Sequence, residues 1–305
     1  MRTVVTGGTG FIGRPLCQKL VELGHEVTVL TRDPAAAQTG LAPPVSVIGW
    51  QGSRGATDEL MTAFSNAEVV INLAGAPIAE GRWTDETKDR LRRSREGTTS
   101  ALVAALAKLR ARPVLLISAS AIGYYGPRQD DPLREDAPSG AGFLASLCRE
   151  WEAAARAAER LGVRVVLPRI GVVLGKNGGA LARMLPVFRL GLGGPLGSGT
   201  QWLSWIHLDD LIELLLFLLR EAASGPVNAT APQPVTNKEF SLALGKTLGR
   251  PAWLRTPAFA LKLLLGQMAE ELLLTGQRVL PARAEAMGFR FRYPTLPEAL
   301  HAILH

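Results

Sequence analysis

The residues most clearly arranged for chemistry form a glycine-rich stretch at positions 6–13, with the order Thr-Gly-Gly-Thr-Gly-Phe-Ile-Gly. The stretch satisfies both the GxGxxG and the GxxGxxG spacing, and it stands between a β-branched run and an amphipathic pattern. In that context the glycines let the chain turn tightly and let a pyrophosphate approach the backbone, while the following helix offers unpaired N–H groups and a partial positive charge. The stretch therefore predicts a dinucleotide-binding loop.

The end of the second predicted strand indicates which dinucleotide would bind, because Thr31, Arg32, Asp33 and Pro34 follow one another there. An acidic residue at this point would accept hydrogen bonds from a ribose 2′-hydroxyl, whereas an arginine would pair with a 2′-phosphate. Pro34 draws Asp33 into a turn and leaves Arg32, with its planar guanidinium, for the ligand. The sequence favours NADP(H) over NAD(H); the alternative is that Arg32 is a solvated turn residue.

Two other side chains belong to reactive types. His207 precedes Asp209 and Asp210, and it is either a general base or a structural residue that joins a strand to the next helix. Cys148 is either a nucleophile or an inert buried thiol, since no histidine stands near it in the sequence. The histidines and cysteines show no metal-ligand spacing, so no metal site is expected.

Regular elements must position these residues, and the first 170 residues alternate β-branched runs with helical patterns. Strands are predicted at Thr3–Thr6, Glu26–Leu30, Val45–Ile48, Val69–Leu73, Val114–Ser118 and Arg164–Leu167. Helices are predicted at Phe11–Leu23, Thr57–Phe64, Glu86–Leu109 and Leu144–Leu161. Strands separated by helices pair in parallel through right-handed crossovers, which predicts an α/β fold with a doubly wound parallel sheet of the Rossmann type.

The pattern changes after Gly171. A glycine-rich loop at Gly191–Gly199 is followed by a predicted helix at Asp209–Arg220, a strand at Pro226–Ala229 and a mostly helical tail from Thr236. We predict a nucleotide-binding domain of residues 1–175 plus 202–230. Residues 176–201 plus 231–305 would form a smaller, mostly helical C-terminal lobe over the carboxyl edge of the sheet, where such folds bind ligands.

Composition restricts the partners. The longest apolar run, Leu211–Leu219, is interrupted by Glu213 and is shorter than the roughly 20 residues that a bilayer span needs. No signal peptide precedes the first strand, and the two cysteines fit a reduced compartment, so we expect a cytoplasmic protein with no membrane partner. The net charge is +7, but the basic cluster Arg90–Arg95 lacks interleaved aromatic residues. A phosphate-bearing small ligand explains this charge, and no nucleic-acid partner is expected.

Several motifs jointly resemble a known superfamily, the extended short-chain dehydrogenase/reductases, which includes the nucleotide-sugar epimerases. These are TGGTGFIG at 6–13, NLAG at 72–75 and WIHLDD at 205–210. More narrowly, the chain is similar to an "epimerase family", cell-division-inhibitor-like branch. The narrower likeness rests on RWT at 82–84, EWE at 150–152, RIGVVLG at 169–175, GLGGP at 191–195, NATAP at 228–232 and the final GFRF at 288–291.

The resemblance implies a set of cofactor contacts, most of them backbone groups at the ends of strands. They are Gly7, Thr9, Gly10, Phe11, Ile12, Gly13, Thr31, Arg32, Leu73, Ala74 and Gly75. It also suggests that Arg95 and Arg90 reach phosphate or ribose, and that Leu174 lies near the nicotinamide end. Homodimerisation through long helices such as Glu86–Leu109 is a further expectation from the superfamily.

One departure from the superfamily affects the mechanism. Its enzymes use a Tyr-x-x-x-Lys pair, in which the lysine lowers the pKa of the tyrosine so that the phenol exchanges a proton with a carbonyl. Here Leu144 and Cys148 occupy the equivalent places. Ser120 matches the superfamily's substrate-binding serine, although a strand-end hydroxyl bonded to the backbone is the alternative. Tyr124 or Tyr125 could supply the proton, with packing over the cofactor as the alternative.

Together these residues predict an NADP(H)-dependent oxidoreductase or epimerase-like enzyme with an atypical proton donor. Its substrate would be an unidentified small carbonyl or hydroxyl compound, in character similar to a sugar nucleotide. The alternative is an NADP(H)-binding sensor or regulatory protein without turnover, and whether the chain is an enzyme stays open at this point.

Overall fold

The computed structural model describes residues 1–41, 44–52 and 57–305. The strands are β1 (Arg2–Thr6), β2 (Glu26–Thr31), β3 (Val45–Gly49), β4 (Val69–Asn72), β5 (Leu115–Ser118), β6 (Ser120–Ala121), β7 (Pro132–Leu133), β8 (Arg164–Ile170), β9 (Val172–Leu174), β10 (Trp202–Leu203), β11 (Trp205–His207), β12 (Gly225–Ala229), β13 (Val235–Thr236) and β14 (Arg278–Val279). The α-helices are α1 (Gly13–Glu22), α2 (Pro34–Gly40), α3 (Asp58–Phe64), α4 (Asp85–Arg92), α5 (Thr98–Lys108), α6 (Phe143–Arg156), α7 (Gly179–Arg189), α8 (Leu208–Arg220), α9 (Asn237–Leu248), α10 (Ala258–Leu265), α11 (Ala282–Ala286) and α12 (Leu296–Leu304).

A parallel sheet organises the molecule, with the strand order β12-β8-β5-β4-β1-β2-β3 and with β6 continuing alongside β8. The order reverses at β1, which pairs with β2 on one side and with β4 on the other. In an open α/β sheet, the loops after the strands at such a reversal leave a crevice between them. The predicted doubly wound parallel fold is confirmed, and it brings the loops after β1 and β4 together.

Helices cover both faces of the sheet, because its strands are buried on both sides. On one face, α1 and α8 pack through residues such as Leu16 and Leu215. On the other face, α3, α5 and α6 contribute Leu60, Leu102 and Ala155. The strand residues alternate between the two clusters, so the sheet is held rigidly and the loops at its carboxyl edge have a fixed base.

A smaller group of elements lies beside the sheet. Helices α7, α9 and α12 pack around Trp205, Phe240 and Leu300, and short strand pairs β9–β11, β10–β13 and β7–β14 connect this group to the rest of the fold. The tail also contributes Ala284 and Phe289 to the core beneath β12 and α8. The C-terminal segment therefore contacts both the smaller lobe and the sheet, and the domain boundaries given above stay a prediction.

Some elements differ from the sequence-based expectations. The predicted helix at Glu86–Leu109 consists of α4 and α5 joined by a π-helical turn at Arg93–Gly97. Helix α2 begins directly at Pro34, and α7 lies in a stretch where no helix was predicted. Among the described residues, no helix has both the length and the hydropathy needed to cross a bilayer.

Candidate functional site

The glycine loop after β1 packs closely against the loop after β4. Gly7 has φ +71°, and a Cβ there would lie 2.7 Å from the backbone carbonyl of Leu73. A Cβ at Gly13 would overlap the carbonyl oxygen of Gly7 and the Cα of Gly8. Glycine at both positions therefore allows the loop to turn tightly and allows α1 to begin against it, with its free N–H groups at the edge of the sheet.

An open cleft of about 870 Å³ extends from this loop across the carboxyl ends of β1, β2 and β4. Of the predicted cofactor contacts, it is lined by Gly7, Thr9, Gly10, Thr31, Arg32, Leu73, Ala74, Gly75 and Arg90. The structure thus brings together in one cleft residues that lie far apart in the sequence. Its length along three strand ends and its glycine floor fit an extended dinucleotide, whose diphosphate would meet the start of α1.

The two residues that were weighed for cofactor choice have separate roles in the structure. The Asp33 carboxylate accepts a hydrogen bond from the backbone N–H of Ala36 at 3.0 Å and caps α2. Arg32 lines the cleft, and among the described residues its guanidinium has no carboxylate partner. An acidic residue committed to a cap is a poor acceptor for a ribose hydroxyl, whereas an unpaired guanidinium can bind a phosphate.

Arg95 lies on the π-helical turn and reaches beneath the cleft. Its guanidinium donates to the carbonyl oxygen of Ala76 at 2.9 Å and stacks on Trp151 at 5.4 Å. A Cβ at Gly75 would lie 3.2 Å from this guanidinium, so the glycine gives Arg95 its space. Burial lowers the pKa of Arg95, and among the described residues no carboxylate neutralises it. Such a cation can attract an anionic or hydroxyl-rich ligand.

Besides Arg95, which lies beneath it, four predicted cofactor residues do not line the cleft. The ring of Phe11 packs against the backbone of Gly175 and Gly178, where a Cβ would overlap it at 2.8 Å and 2.5 Å. Ile12 packs on the main core, and Gly13 contacts the glycine loop itself. Leu174 is fully buried in the core of the smaller lobe. These residues shape the loop and the lobe around the cleft, and a direct contact with cofactor stays a prediction for each of them.

Ser120 belongs to a buried polar network. Its hydroxyl donates to Glu152 Oε1 at 2.7 Å, and Glu152 in turn forms a two-pronged ion pair with Arg169 at 2.8 Å and 3.0 Å. The backbone bond that was the alternative for Ser120 is therefore replaced by a side-chain bond. With its proton committed to Glu152, Ser120 can still accept a hydrogen bond from a ligand.

The two neighbouring tyrosines differ. Tyr125 is buried, its hydroxyl donates to Asn228 and accepts from Arg169, and burial raises its pKa to about 12. Tyr124 is half-buried with its ring 3.5 Å from the Arg169 guanidinium, and no hydrogen bond to its hydroxyl is found among the described residues. Tyr125 is thus a structural residue, and Tyr124 has the hydroxyl available for a ligand.

Helix α6 carries Leu144 and Cys148, the two positions that the resemblance gives as equivalent to the Tyr-x-x-x-Lys pair. Leu144 and Cys148 both contact the turn at Gly123, next to the tyrosines. Burial raises the pKa of Cys148 to about 12, so its thiol stays protonated at neutral pH. The inert reading of Cys148 fits this geometry, because a nucleophilic cysteine requires thiolate character.

His207 has the structural role that was weighed against a general base. Its Nδ1 accepts a hydrogen bond from the backbone N–H of Asp209 at 3.0 Å and caps α8. The Asp210 carboxylate accepts from the backbone N–H groups of Arg292 and Tyr293, which ties α8 to the C-terminal segment. Among the described residues, no group of histidine, cysteine and acidic side chains could hold a metal ion.

Sequence reasoning missed two groups of residues. Arg14, Trp50, Arg93 and Thr98 line the cleft, and no local motif identifies them because they come from three different elements. The other group is formed by Arg128, Gln201 and Arg278, of which Arg278 stacks on Trp202 at 4.9 Å. In the part of the chain that the structure describes, the buried Nε atoms of Arg128 and Arg278 and the Oε1 atom of Gln201 have no hydrogen-bond partner. Buried polar atoms without partners are rare, and they indicate a place where a ligand or water binds.

Comparison with known proteins agrees with this geometry. Residues 3–230 match the NAD dependent epimerase/dehydratase family, and residues 256–303 match a domain of unknown function, DUF1731. The chain is 46% identical over 310 residues to the chloroplastic epimerase family protein SDR39U1 homolog of Arabidopsis thaliana, covering 100% of this chain and 87% of that protein. It is 38% identical to the epimerase family protein YfhF of Bacillus subtilis, covering 100% and 98%.

A solved structure is also similar over the full length. The crystal structure of the human epimerase family protein SDR39U1 with NADPH superposes with a TM-score of 0.88 at 37% identity, covering 99% of each chain. The resemblance inferred from the glycine loop and the strand-end motifs is thus confirmed by the family match and by relatives aligned over almost the whole chain. The chain belongs to the NAD dependent epimerase/dehydratase family, in its SDR39U1-like branch.

Proposed function

We propose that this protein binds NADP(H) in the cleft and uses it to oxidise, reduce or epimerise a small carbonyl or hydroxyl compound. The observation that carries the proposal is the contrast at the end of β2, where Asp33 caps α2 while Arg32 lines the cleft without a carboxylate partner among the described residues. A 2′-phosphate would supply the anion that Arg32 lacks. The NADPH in the crystal structure of the human relative supports the same choice of cofactor.

Each end of the cleft has a role in this proposal. The N–H groups at the start of α1, with Gly7, Thr9 and Gly10, hold the diphosphate; Arg32 holds the adenosine phosphate. The backbone after β4, at Leu73 to Gly75, lies against a ribose, with the Arg95 guanidinium directly beneath it. In this proposal the nicotinamide end lies toward Ser120 and Tyr124.

The chemistry supplied by the cofactor is hydride transfer at the nicotinamide ring. The chain itself must hold the substrate oxygen and exchange its proton. The Tyr124 hydroxyl has no hydrogen-bond partner among the described residues and a cation lies over its ring, so it can donate a hydrogen bond to a substrate oxygen. Ser120 accepts a hydrogen bond from a substrate hydroxyl while it donates its own proton in the hydrogen bond to Glu152.

The substrate in this proposal carries an anionic group. Arg128 and Arg278 each have a buried Nε atom without a hydrogen-bond partner among the described residues, and Arg278 stacks on the indole ring of Trp202. Guanidinium groups and a flat ring together suit a phosphorylated compound with a planar or sugar portion. A sugar-nucleotide-like substrate therefore fits both groups of residues.

The proposal is tested by incubating the purified protein with NADPH or NADP+ and a panel of carbonyl compounds, sugars and sugar nucleotides, while following absorbance at 340 nm. Turnover is expected to fall at least about a hundredfold in Tyr124→Phe, as for loss of a proton donor. The matched variant Tyr125→Phe should lose stability rather than activity per folded molecule. Equal turnover by the wild type and Tyr124→Phe would overturn the role of Tyr124.

A second candidate function is a sensor that binds NADP(H) without turnover. It is favoured by Leu144 and Cys148, which replace the superfamily's proton-transfer pair with side chains that cannot act as acid or base. This candidate predicts flat absorbance with every substrate, together with melting temperatures that differ between NADPH and NADP+ complexes. Equal stabilisation of the protein by NADPH and by NADP+ would rule out the sensor function. A homodimer and a cytoplasmic location remain predictions.

A further inference from the structure

One surface of the smaller lobe exposes large apolar side chains that the cofactor cleft does not use. Trp253 and Leu190 are each 75% exposed, and Phe259 and Leu263 are 74% and 73% exposed. Helix α10, with the sequence AFALKLLL, has no buried residue at all. We call this surface the lobe face; its apolar members are Val187, Leu190, Leu192, Trp253, Leu254, Phe259, Leu263 and Leu264.

The lobe face is continuous rather than scattered. Leu254 N–H donates to the Gly193 carbonyl at 3.2 Å, and Thr256 N–H donates to the Pro195 carbonyl at 3.0 Å. These bonds place Leu192 beside Trp253 and Leu254, and α10 begins two residues after Thr256. Contiguous exposed apolar surface of this kind is rare on proteins that bind nothing there.

The charge of the same segments has one sign. Residues 176–201 and 246–269 contain seven cations and no aspartate or glutamate: Lys176, Arg183, Arg189, Lys246, Arg250, Arg255 and Lys262. The net charge of the chain is +7, so the remaining 27 Lys and Arg balance the 27 Asp and Glu. These segments are therefore basic, although Lys262 forms an ion pair with Glu270 at 2.9 Å, which leaves six of the seven cations without a carboxylate partner among the described residues.

The exposed apolar side chains and the cations together favour one kind of binding partner for the lobe face over others. A second copy related by a two-fold axis would place the same cations against each other, which disfavours a symmetric interface. A nucleic acid would leave the leucines and the two aromatic rings without apolar partners. The surface of an anionic bilayer satisfies both features, since headgroups attract the cations while exposed Trp, Phe and Leu side chains enter the acyl boundary.

We propose that the lobe face docks this protein reversibly on an anionic lipid surface. Peripheral docking of this kind requires no membrane-spanning segment. Helix α10 would lie along the headgroups with Phe259, Leu263 and Leu264 inserted. Arg250 and Arg255 are exposed, and no carboxylate is found beside either in the described part of the chain, so both are available to headgroup phosphates.

The test is co-sedimentation of the full-length protein with vesicles of phosphatidylcholine alone and of phosphatidylcholine with one-third phosphatidylglycerol. Binding to the second vesicle only, weakened by raising salt well above about 0.15 M, is expected. Arg250→Gln/Arg255→Gln should weaken binding about thirtyfold, which is about fivefold for each cation. The matched control Arg110→Gln/Arg160→Gln removes two exposed cations elsewhere and should bind as the wild type.

The apolar part is tested separately with Phe259→Ser/Leu263→Ser, which should abolish binding, against Leu23→Ser/Val114→Ser, which should not. Unchanged NADPH affinity in each variant verifies that it is folded. Absence of sedimentation with anionic vesicles would overturn the proposal. Vesicle binding unaffected by both lobe-face variants would also overturn it, as would duplex DNA binding or dimerisation through this face in place of lipid binding.

Discussion

The burial of Arg95 is the feature of a single residue that most needs an energetic explanation. Arg95 is a partly buried cation without a carboxylate neighbour in the described part of the chain. Neighbouring arginines are neutralised: Arg92 contacts Glu150 at 3.3 Å, and Arg90 contacts Glu80 at 3.4 Å. Burying an uncompensated charge at this depth costs free energy of folding, and proteins retain such charges mainly where a bound ligand compensates for them. We therefore place Arg95 among the cofactor-holding residues.

Replacing Arg95 tests this assignment. Arg95→Met should weaken NADPH binding about tenfold or more, since a charge-assisted hydrogen bond contributes about 1.5–3 kcal/mol, while the melting temperature changes little. Isothermal titration calorimetry and thermal melting give the two readouts. Arg92→Met is the matched control, because Arg92 faces Phe143 and Glu150 instead. Equal NADPH affinity in Arg95→Met and wild type would show that the charge serves only the fold.

Cys148 gives a second prediction about a single residue. Because its pKa is raised to about 12, well above pH 8, the thiol stays protonated and unreactive in the folded protein. Cys17 has a pKa raised to about 12 by burial and should behave alike. We expect no reaction with a thiol reagent at pH 8 until denaturant is added, and full NADPH binding by Cys148→Ala. Rapid modification of native Cys148 would contradict the inert reading.

The sequence could predict some side-chain roles and not others. Pro34 after Asp33 predicted a turn at this point, and the Asp33 carboxylate caps α2 there while the residue also lines the cleft. Tyr124 and Tyr125 could not be told apart, since their difference depends on Asn228, more than 100 residues away in the sequence. Local rules determine caps and turns, whereas the partner of a buried hydroxyl is set by the packing of distant elements.

At the scale of elements, the turn at Arg93–Gly97 explains how one face of a long helix serves the cleft. A continuous α-helix over Glu86–Leu109 was predicted because the apolar spacing runs through it without a proline. The structure inserts a π-helical turn, which shifts the register and directs Ser94 and Arg95 toward the β4 loop. Such turns occur often at functional sites, and periodicity alone does not reveal them.

Helix α8 supplies a pH-dependent prediction. Burial lowers the pKa of His207, whose Nδ1 must stay unprotonated to accept the Asp209 N–H. The unfolded chain takes up a proton near pH 6.5 and the folded chain resists it, so stability present above pH 6.5 is lost as the pH falls below it. His25, also shifted downward chiefly by burial, acts in the same direction.

Urea unfolding at pH 7.5 and pH 5.5 measures the change in the free energy of unfolding. We expect this free energy to fall by at most about 1.4 kcal/mol per pH unit for each histidine. His207→Asn keeps an oxygen acceptor for the cap and should show a smaller loss on acidification than the wild type. Identical pH dependence in His207→Asn and the wild type would refute the role of His207 in it.

At the scale of the whole molecule, the sheet was predictable and the lobe was less so. Alternating strands and helices, with one glycine loop, determine the parallel order and the position of the crevice. The lobe depends on contacts between distant segments, such as the Glu271 carboxylate that accepts the Phe143 and Leu144 N–H groups. No periodic pattern encodes such contacts, which explains why α7 and the group around Arg128 and Arg278 were missed.

The central claim is that the cleft at the reversal point of the sheet holds NADP(H), with Arg32 selecting the 2′-phosphate. Isothermal titration calorimetry of the intact protein with NADPH and NADH tests it most directly. We predict that NADPH binds at least about tenfold more tightly than NADH, and that Arg32→Ala removes this preference while leaving NADH affinity unchanged. Equal affinities for the two cofactors in the wild type, or no heat with either, would contradict the account.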